Sequence, residues 1–433
     1  MKTLYKNAYL LQNSAGEINI IKNGCLAVQD GEIIYAGSSV PNEKFDCVKD
    51  MSGKIIMPGL YNCHTHSPMT LLRGVGSGLP LQNWLFDCIF PIENRLTKED
   101  IRIGSELALL EMIAGGTVSF SDMYFHPEET AEAVGEAGIM ANLSRHVQAF
   151  PFDSEKDIEN RINESLSLIK NYDGAFNGRV KADFSIHAEY TCSEKTAEFY
   201  SSLCSQYGGN MHIHLSETYK EHLDCKDKYG KTPAMWFNSL GAFESSAFLA
   251  HCVAIEDEDV EIIKQKNVSV VHNPTSNMKL GSGFMPLKKL LQAGINICLG
   301  TDGAASNNNL NMFEEMHLAG IIHNGYEKDA TAVSARDVIN MATINGAALQ
   351  RRENRGALTA GNRADFIAIN TDKPHLHPCL DVPALIVYSA SASDVCLTVC
   401  DGKTLYEDGE FKTLDKEKII YNAERAAERL YNR

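Results

Sequence analysis

The sequence predicts an α/β protein, a (β/α)8 TIM barrel with a small β-sandwich domain built from both chain ends. Three observations predict it. Eight β-like apolar runs alternate with helical patterns through the middle of the chain. Both ends carry a turn-rich β texture instead. Side chains of metal-ligating type close four of the middle runs. The length of 433 residues is enough for a full barrel and an accessory domain.

Taken in order, residues 18–21, 25–29 and 33–36 are short β-rich pieces, with Asp30-Gly31 as a hairpin signal. The middle offers strands at 55–64, 117–123, 139–145, 180–187, 210–215, 248–253, 268–272 and 295–301. Helical periodicity separates them at 98–114, 128–136, 154–172, 193–207, 218–240, 256–265 and 285–293. Two more helices follow near 311–324 and 332–349. Apolar strands alternating with helices imply a parallel sheet, and eight of them suggest closure into a barrel. After Gly361 the β texture resumes at 364–369, 385–388, 394–399 and 404–406, and an amphipathic helix over 414–431 closes the chain. The expected division is 1–57 for the first part of the β-sandwich, 58–360 for the barrel, and 361–433 for the second part with its helix.

Composition narrows the function classes. A net charge of −16 argues against nucleic acid or an anionic membrane as partner, since both require basic patches. The first residues lack the apolar core of a signal peptide, and no run reaches the length of a membrane span. Twelve cysteines without a CxxC pair fit reduced thiols in a cytoplasmic protein.

The strand ends carry the chemistry. Barrel strands all point their C-terminal ends at one mouth, so residues remote in sequence converge there. His64 and His66, two apart, share one face at the end of the first strand, while Cys63 points away and packs in the core. His212 and His214 both face inward on the fifth strand. His214 is nearer the mouth and is the better ligand, leaving His212 one layer deeper. Asp302 closes the eighth strand, as a ligand and acceptor of the water proton or as an N-cap. His251, ending the sixth, is a packed histidine or an electrophilic partner beside the water. Glu217 lies three residues past His214, within reach of that water. Lys181 sits at the wrong end of the fourth strand to bridge two ions, so one divalent metal is expected: Zn²⁺ by ligand type, with Fe²⁺ compatible. Such a site makes hydroxide available near neutral pH.

These residues resemble the amidohydrolase superfamily. The resemblance rests on Pro58-Gly59-Leu60 leading to His64-Thr65-His66, His214 with Glu217, His251, Thr301-Asp302-Gly303 and Gly361-Asn362-Arg363-Ala364-Asp365. Within it the chain looks most like the 5′-methylthioadenosine/S-adenosylhomocysteine deaminases, through 68–74, Asn83-Trp84-Leu85, Phe90-Pro91-Ile92-Glu93, His187 before Tyr190-Thr191-Cys192-Ser193, and 301–308. That resemblance implies hydrolytic deamination of 5′-modified adenosines at adenine C6, giving the inosine analogue and ammonia. It also implies that Glu217 protonates N1, that Asp302 accepts the water proton and that His251 supports the tetrahedral centre. Glu93 would hold the ribose hydroxyls, and His187 would contact the nucleoside. Arg145 would meet the polar end of the 5′ group, and Trp84 would line its apolar pocket. A homo-oligomer is also implied, with a tetramer as the suggested form. One departure stands out: Glu189 occupies a position where the family usually shows proline. The alternative is another aminohydrolase or chlorohydrolase of the same branch, acting on guanine, a triazine or a related heterocycle.

Overall fold

A computed structural model describes residues 1–14 and 16–431. Eight parallel strands follow one another around a sheet in chain order: Leu60–Thr65, Thr117–Met123, Met140–Val147, Val180–Ile186, Met211–Leu215, Ala247–His251, Ser269–His272 and Ile297–Leu299. The ends of the first and last meet: the Asp302 backbone N–H donates to the His64 carbonyl at 2.9 Å, and that of Thr301 to Asn62 Oδ1 at 3.0 Å. This nearly closed barrel has both strand faces covered, which is why its strands read as continuous apolar runs. All the residues of Leu60–Thr65 and Met140–Val147 are buried.

Capping residues set where the barrel helices begin. Thr97 and Asp100 exchange hydrogen bonds at the start of Lys98–Ala114, as do Ser154 and Asp157 before Glu155–Tyr172. Each exchange satisfies two backbone donors that the first turn leaves orphaned. The closing helix, Lys416–Tyr431, docks on the first of these, with Arg429 paired to the buried Asp100.

The chain ends share a second, nine-stranded sheet. Phe366–Asn370 pairs antiparallel with Lys54–Pro58, joining the C-terminal strands to Lys2–Ser14 and Glu17–Gln29. Leu10, Leu26, Ile33, Ile56, Phe366 and Val399 form its core, with Tyr5 set edge-on to Phe366 at 5.0 Å.

Several expected elements differ. The strand expected at 55–64 is two strands in two sheets, Lys54–Pro58 and Leu60–Thr65, turned at Gly59. Only glycine fits there, since an added Cβ would lie 2.4 Å from Val118 Cγ1. The expected strand at 385–388 is part of a helix, Val382–Tyr388. Asp381 caps it by accepting from the Ala384 N–H at 3.1 Å, and a proline sits in its first turn. The helix expected at 218–240 breaks into Tyr219–Tyr229 and Pro233–Ser239, because Gly230 turns left-handed (φ 65°) and Thr232 caps a new start. The expected 332–349 helix likewise divides at Thr343. Residues 81–93, read without a helical signal, form Leu81–Asn83, a π-turn over Trp84–Ile89, and Phe90–Glu93. None of the helices among the described residues is long and apolar enough to cross a membrane.

The Gly59 contact is testable. Gly59→Ala is expected to lower unfolding stability by about 1–3 kcal/mol through overpacking, measured by chemical denaturation. Adding Val118→Ala, which removes the two methyl groups in the way, should restore part of the loss.

Candidate active site

The ends of the first, fifth and eighth strands bring His64, His66, His214 and Asp302 into one cluster. His66 Nε2 lies 3.3 Å from His214 Nε2 and 3.3 Å from Asp302 Oδ1, and His64 Nε2 lies 3.4 Å from the same oxygen. Ligands about 2.1 Å from a tetrahedral ion stand roughly 3.4 Å apart, so the spacing fits a divalent cation.

The outer contacts set the tautomers. Nδ1 of His66 faces the Met123 carbonyl at 2.7 Å, and Nδ1 of His214 faces that of His187 at 2.8 Å. A carbonyl only accepts, so both Nδ1 atoms carry the proton and both Nε2 lone pairs point inward. His64 uses His212 in the same way, Nδ1 to Nε2 at 2.8 Å. Its own Nε2 is buried with no hydrogen-bond partner, as a metal ligand's lone pair should be. His212 therefore stands behind the cluster. Cys63 packs in the apolar core with its side chain away from the mouth.

Asp302 is tightly braced. Its Oδ2 accepts from the hydroxyls of Ser276 and Ser306 at 2.6 and 2.8 Å, and Oδ1 accepts from the Gly303 N–H at 2.7 Å. Its backbone sits in the left-handed region (φ 59°), as does that of His251 (φ 75°). Asp and His enter that region more readily than most side chains.

These groups open onto a cavity lined also by Met69, Leu81, Ile89 and Phe90. Glu217 lines it, with a carboxylate oxygen 3.8 Å from His251 Nε2. Burial, reinforced by the Asp302 charge, pushes the Glu217 carboxyl up to about 8, so it is protonated at neutral pH. His251 donates from Nδ1 to Asn277 Oδ1 at 2.8 Å, and burial lowers its pKa, so its Nε2 lone pair faces the cavity. Trp84 and Glu93 arrive on the irregular helical stretch after the first strand. Trp84 anchors its indole N–H on the Val75 carbonyl at 2.9 Å. Glu93 accepts from the Tyr124 hydroxyl at 2.6 Å, and burial raises its pKa. His187 lines the same wall, its ring Nδ1 3.2 Å from the Thr191 hydroxyl.

Arg145 is not brought into this cavity. Alternation along the third strand turns it toward the helical layer, where Nε meets Glu164 at 2.6 Å. It lines an adjoining hollow with Glu93, Phe125 and Glu164. His146 and Gln148, on the opposite face, line the main cavity instead, and so do Tyr124 and Tyr190. Ending the strand at 145 concealed the first two; extending the alternation three residues would have found them.

Glu189 has a partner of its own kind. Both it and Glu221 are buried, each bears on the other's protonation, and Glu189 Oε2 and Glu221 Oε1 are left without a hydrogen-bond partner. The other Glu221 oxygen accepts from the Glu217 backbone N–H at 2.9 Å, so Glu221 braces the loop that carries Glu217.

Residues 55–405 match the family model described as "Amidohydrolase family". The chain belongs to this family. As an amidohydrolase it is 43% identical over 434 residues to a 5-methylthioadenosine/S-adenosylhomocysteine deaminase of Acetivibrio thermocellus, covering 99% of this chain and 100% of that one. It is 44% identical to a 5'-deoxyadenosine deaminase of Methanosarcina mazei, covering 99% and 98%. Among solved structures, an adenosine deaminase from Xanthomonas campestris with bound zinc superposes with a TM-score of 0.93 at 28% identity, covering 100% of this amidohydrolase and 99% of that chain.

The acid pair makes stability pH-dependent. Burial, then the neighbouring carboxyl, raises Glu189 well above its ordinary 4.5; burial, then Glu217, raises Glu221 to about 8. Both folded values exceed the unfolded ones, so this contribution is complete below 4.5 and is lost as pH rises through about 8. Glu189→Gln, whose amide donates without needing a proton, should flatten the fall in Tm between those pH values, as read by calorimetry.

Proposed function

We propose that this amidohydrolase deaminates 5′-modified adenosines, 5′-methylthioadenosine and S-adenosylhomocysteine among them, at adenine C6, releasing ammonia and the inosine analogue. One juxtaposition carries the reading. The cavity holds a cation-ready cluster, a protonated carboxyl at Glu217, and a separate carboxyl, Glu93, that arrives on a different element. A free heterocycle has no use for Glu93, whereas a ribose presents vicinal hydroxyls to it.

His64, His66, His214 and Asp302 would hold the metal, and zinc suits three imidazoles and one carboxylate oxygen. When bound, the cation supplies Lewis acidity and lowers the pKa of a coordinated water toward 7. Asp302 takes the proton that water loses as its oxygen bonds to C6. Glu217 gives its proton to N1, which drains charge from C6 and makes it electrophilic. His251 directs its bare Nε2 at the attacking water and keeps it oriented. As the C6–N6 bond breaks, the proton that Asp302 collected goes to the departing amine, which leaves as ammonia, and the proton left on the new C6 hydroxyl returns to Glu217 as C6=O forms. Trp84, Leu85 and Leu280 offer an apolar surface to a methyl or thioether 5′ group, and Glu93 accepts from the ribose. Twelve free cysteines suit a reducing cytoplasm.

A nucleoside panel tests the reading. Ammonia should be released from 5′-methylthioadenosine and 5′-deoxyadenosine, and not from guanine or a chlorotriazine; no release from any nucleoside would overturn it. Glu217→Gln should keep its metal and lose about 10²–10⁴ in kcat, whereas His214→Ala should lose metal as well as activity. Elemental analysis beside the ammonia assay separates the two, and equal metal loss in both variants would reverse the assigned roles.

A further inference from the structure

His146 is 4% exposed, and neither of its ring nitrogens has a hydrogen-bond partner. Among the described residues it is the only buried histidine left wholly unpaired. His64 bonds His212, His251 bonds Asn277, His272 bonds His323, and His214 bonds a carbonyl. A buried polar group without a partner is costly, so an imidazole kept this way at a cavity wall points to a ligand. The ring lines the main cavity, packed against Phe125 (centroids 4.9 Å) and His187 (5.6 Å).

Its charge state limits the ligand. Burial, with Arg145 adjoining, holds the ring well below its ordinary 6.5, so it is neutral. A neutral imidazole offers one N–H donor and one lone pair, the complement of a hydroxyl and a poor receptor for a carboxylate or phosphate.

Its place limits the ligand further. His187 lies between His146 and the cluster, 4.9 Å from His214 by ring centroids. On its other side, Phe125 adjoins Tyr124 at 5.0 Å, and Tyr124 bonds Glu93. A purine with C6 at the cluster carries its sugar on the far side of the ring system, toward this outer tier. Glu93 can only accept when ionised, so a group that both donates and accepts complements it there.

Resting on the nucleoside reading above, we propose that His146 is a specificity-determining contact to the ribose, bonding one of the two vicinal hydroxyls beside Glu93.

The test compares 5′-methylthioadenosine with its 2′-deoxy and 3′-deoxy analogues in wild type, His146→Phe and His146→Asn. Phe keeps the bulk and removes both polar atoms. It should raise KM for 5′-methylthioadenosine about tenfold, the cost of one hydrogen bond, with kcat within about twofold. It should also lose the wild-type discrimination against one of the two deoxy analogues. His146→Asn retains a donor and an acceptor and should recover most of the KM. His146→Ala replaces the Phe variant if the larger ring disturbs Phe125. An unchanged KM, or discrimination kept at both positions, overturns the proposal while deamination itself stands. Wild-type protein inert toward every nucleoside overturns this proposal and the function reading together.

Discussion

The closure of the parallel barrel is the constraint on which the site depends. His64 and Asp302 are 238 positions apart, yet the Asp302 N–H donates to the His64 carbonyl at 2.9 Å. That bond fixes where the last strand ends against the first. It thereby sets the 3.4 Å between His64 Nε2 and Asp302 Oδ1. A slip of one residue in any of the eight strands would turn its inward side chains outward, because side-chain direction alternates with period two. The ligand cluster is thus a property of the whole barrel register and of no single motif.

Around this register, the backbone does much of the orienting. Carbonyls of Met123 and His187, each from a strand end next to the mouth, hold two of the three imidazoles in the tautomer that leaves Nε2 bare. Asp302 is braced by two hydroxyls and a backbone amide, with its backbone in the left-handed region. Burial then divides the acids by role. Glu217, buried at the cavity wall beside Asp302, keeps its proton, and burial likewise raises Glu189 and Glu221. Opposite tasks for like side chains follow from surroundings, as expected when desolvation dominates.

Much of this was legible in the chain. Eight apolar runs announced the barrel, and the pairs His64/His66 and His214/Asp302 at their ends announced the cluster, because strand periodicity and a common mouth are local rules. Preferring His214 over His212 needed only the direction of the strand. Irregular stretches were less readable. The segment 81–93 contains Pro91 and a π-turn, so its apolar residues follow no single period, and the element that delivers Trp84 and Glu93 went unseen. Leu385–Tyr388 looks β-like in composition, but the Asp381 cap and the proline in the first turn make it helical.

By itself the sequence determined the barrel, the residue types at its mouth and the acidic, thiol-rich character of the chain, since each follows from composition and short-range periodicity. Only the tertiary structure decided which side chains share a cavity. Arg145 and His146 are neighbours in sequence and differ in fate because one faces the helical layer and its acid, Glu164, while the other faces the cavity. The meeting of Glu189 and Glu221 was equally beyond reach, because it exists only where two segments 32 residues apart in sequence bury their carboxyls together.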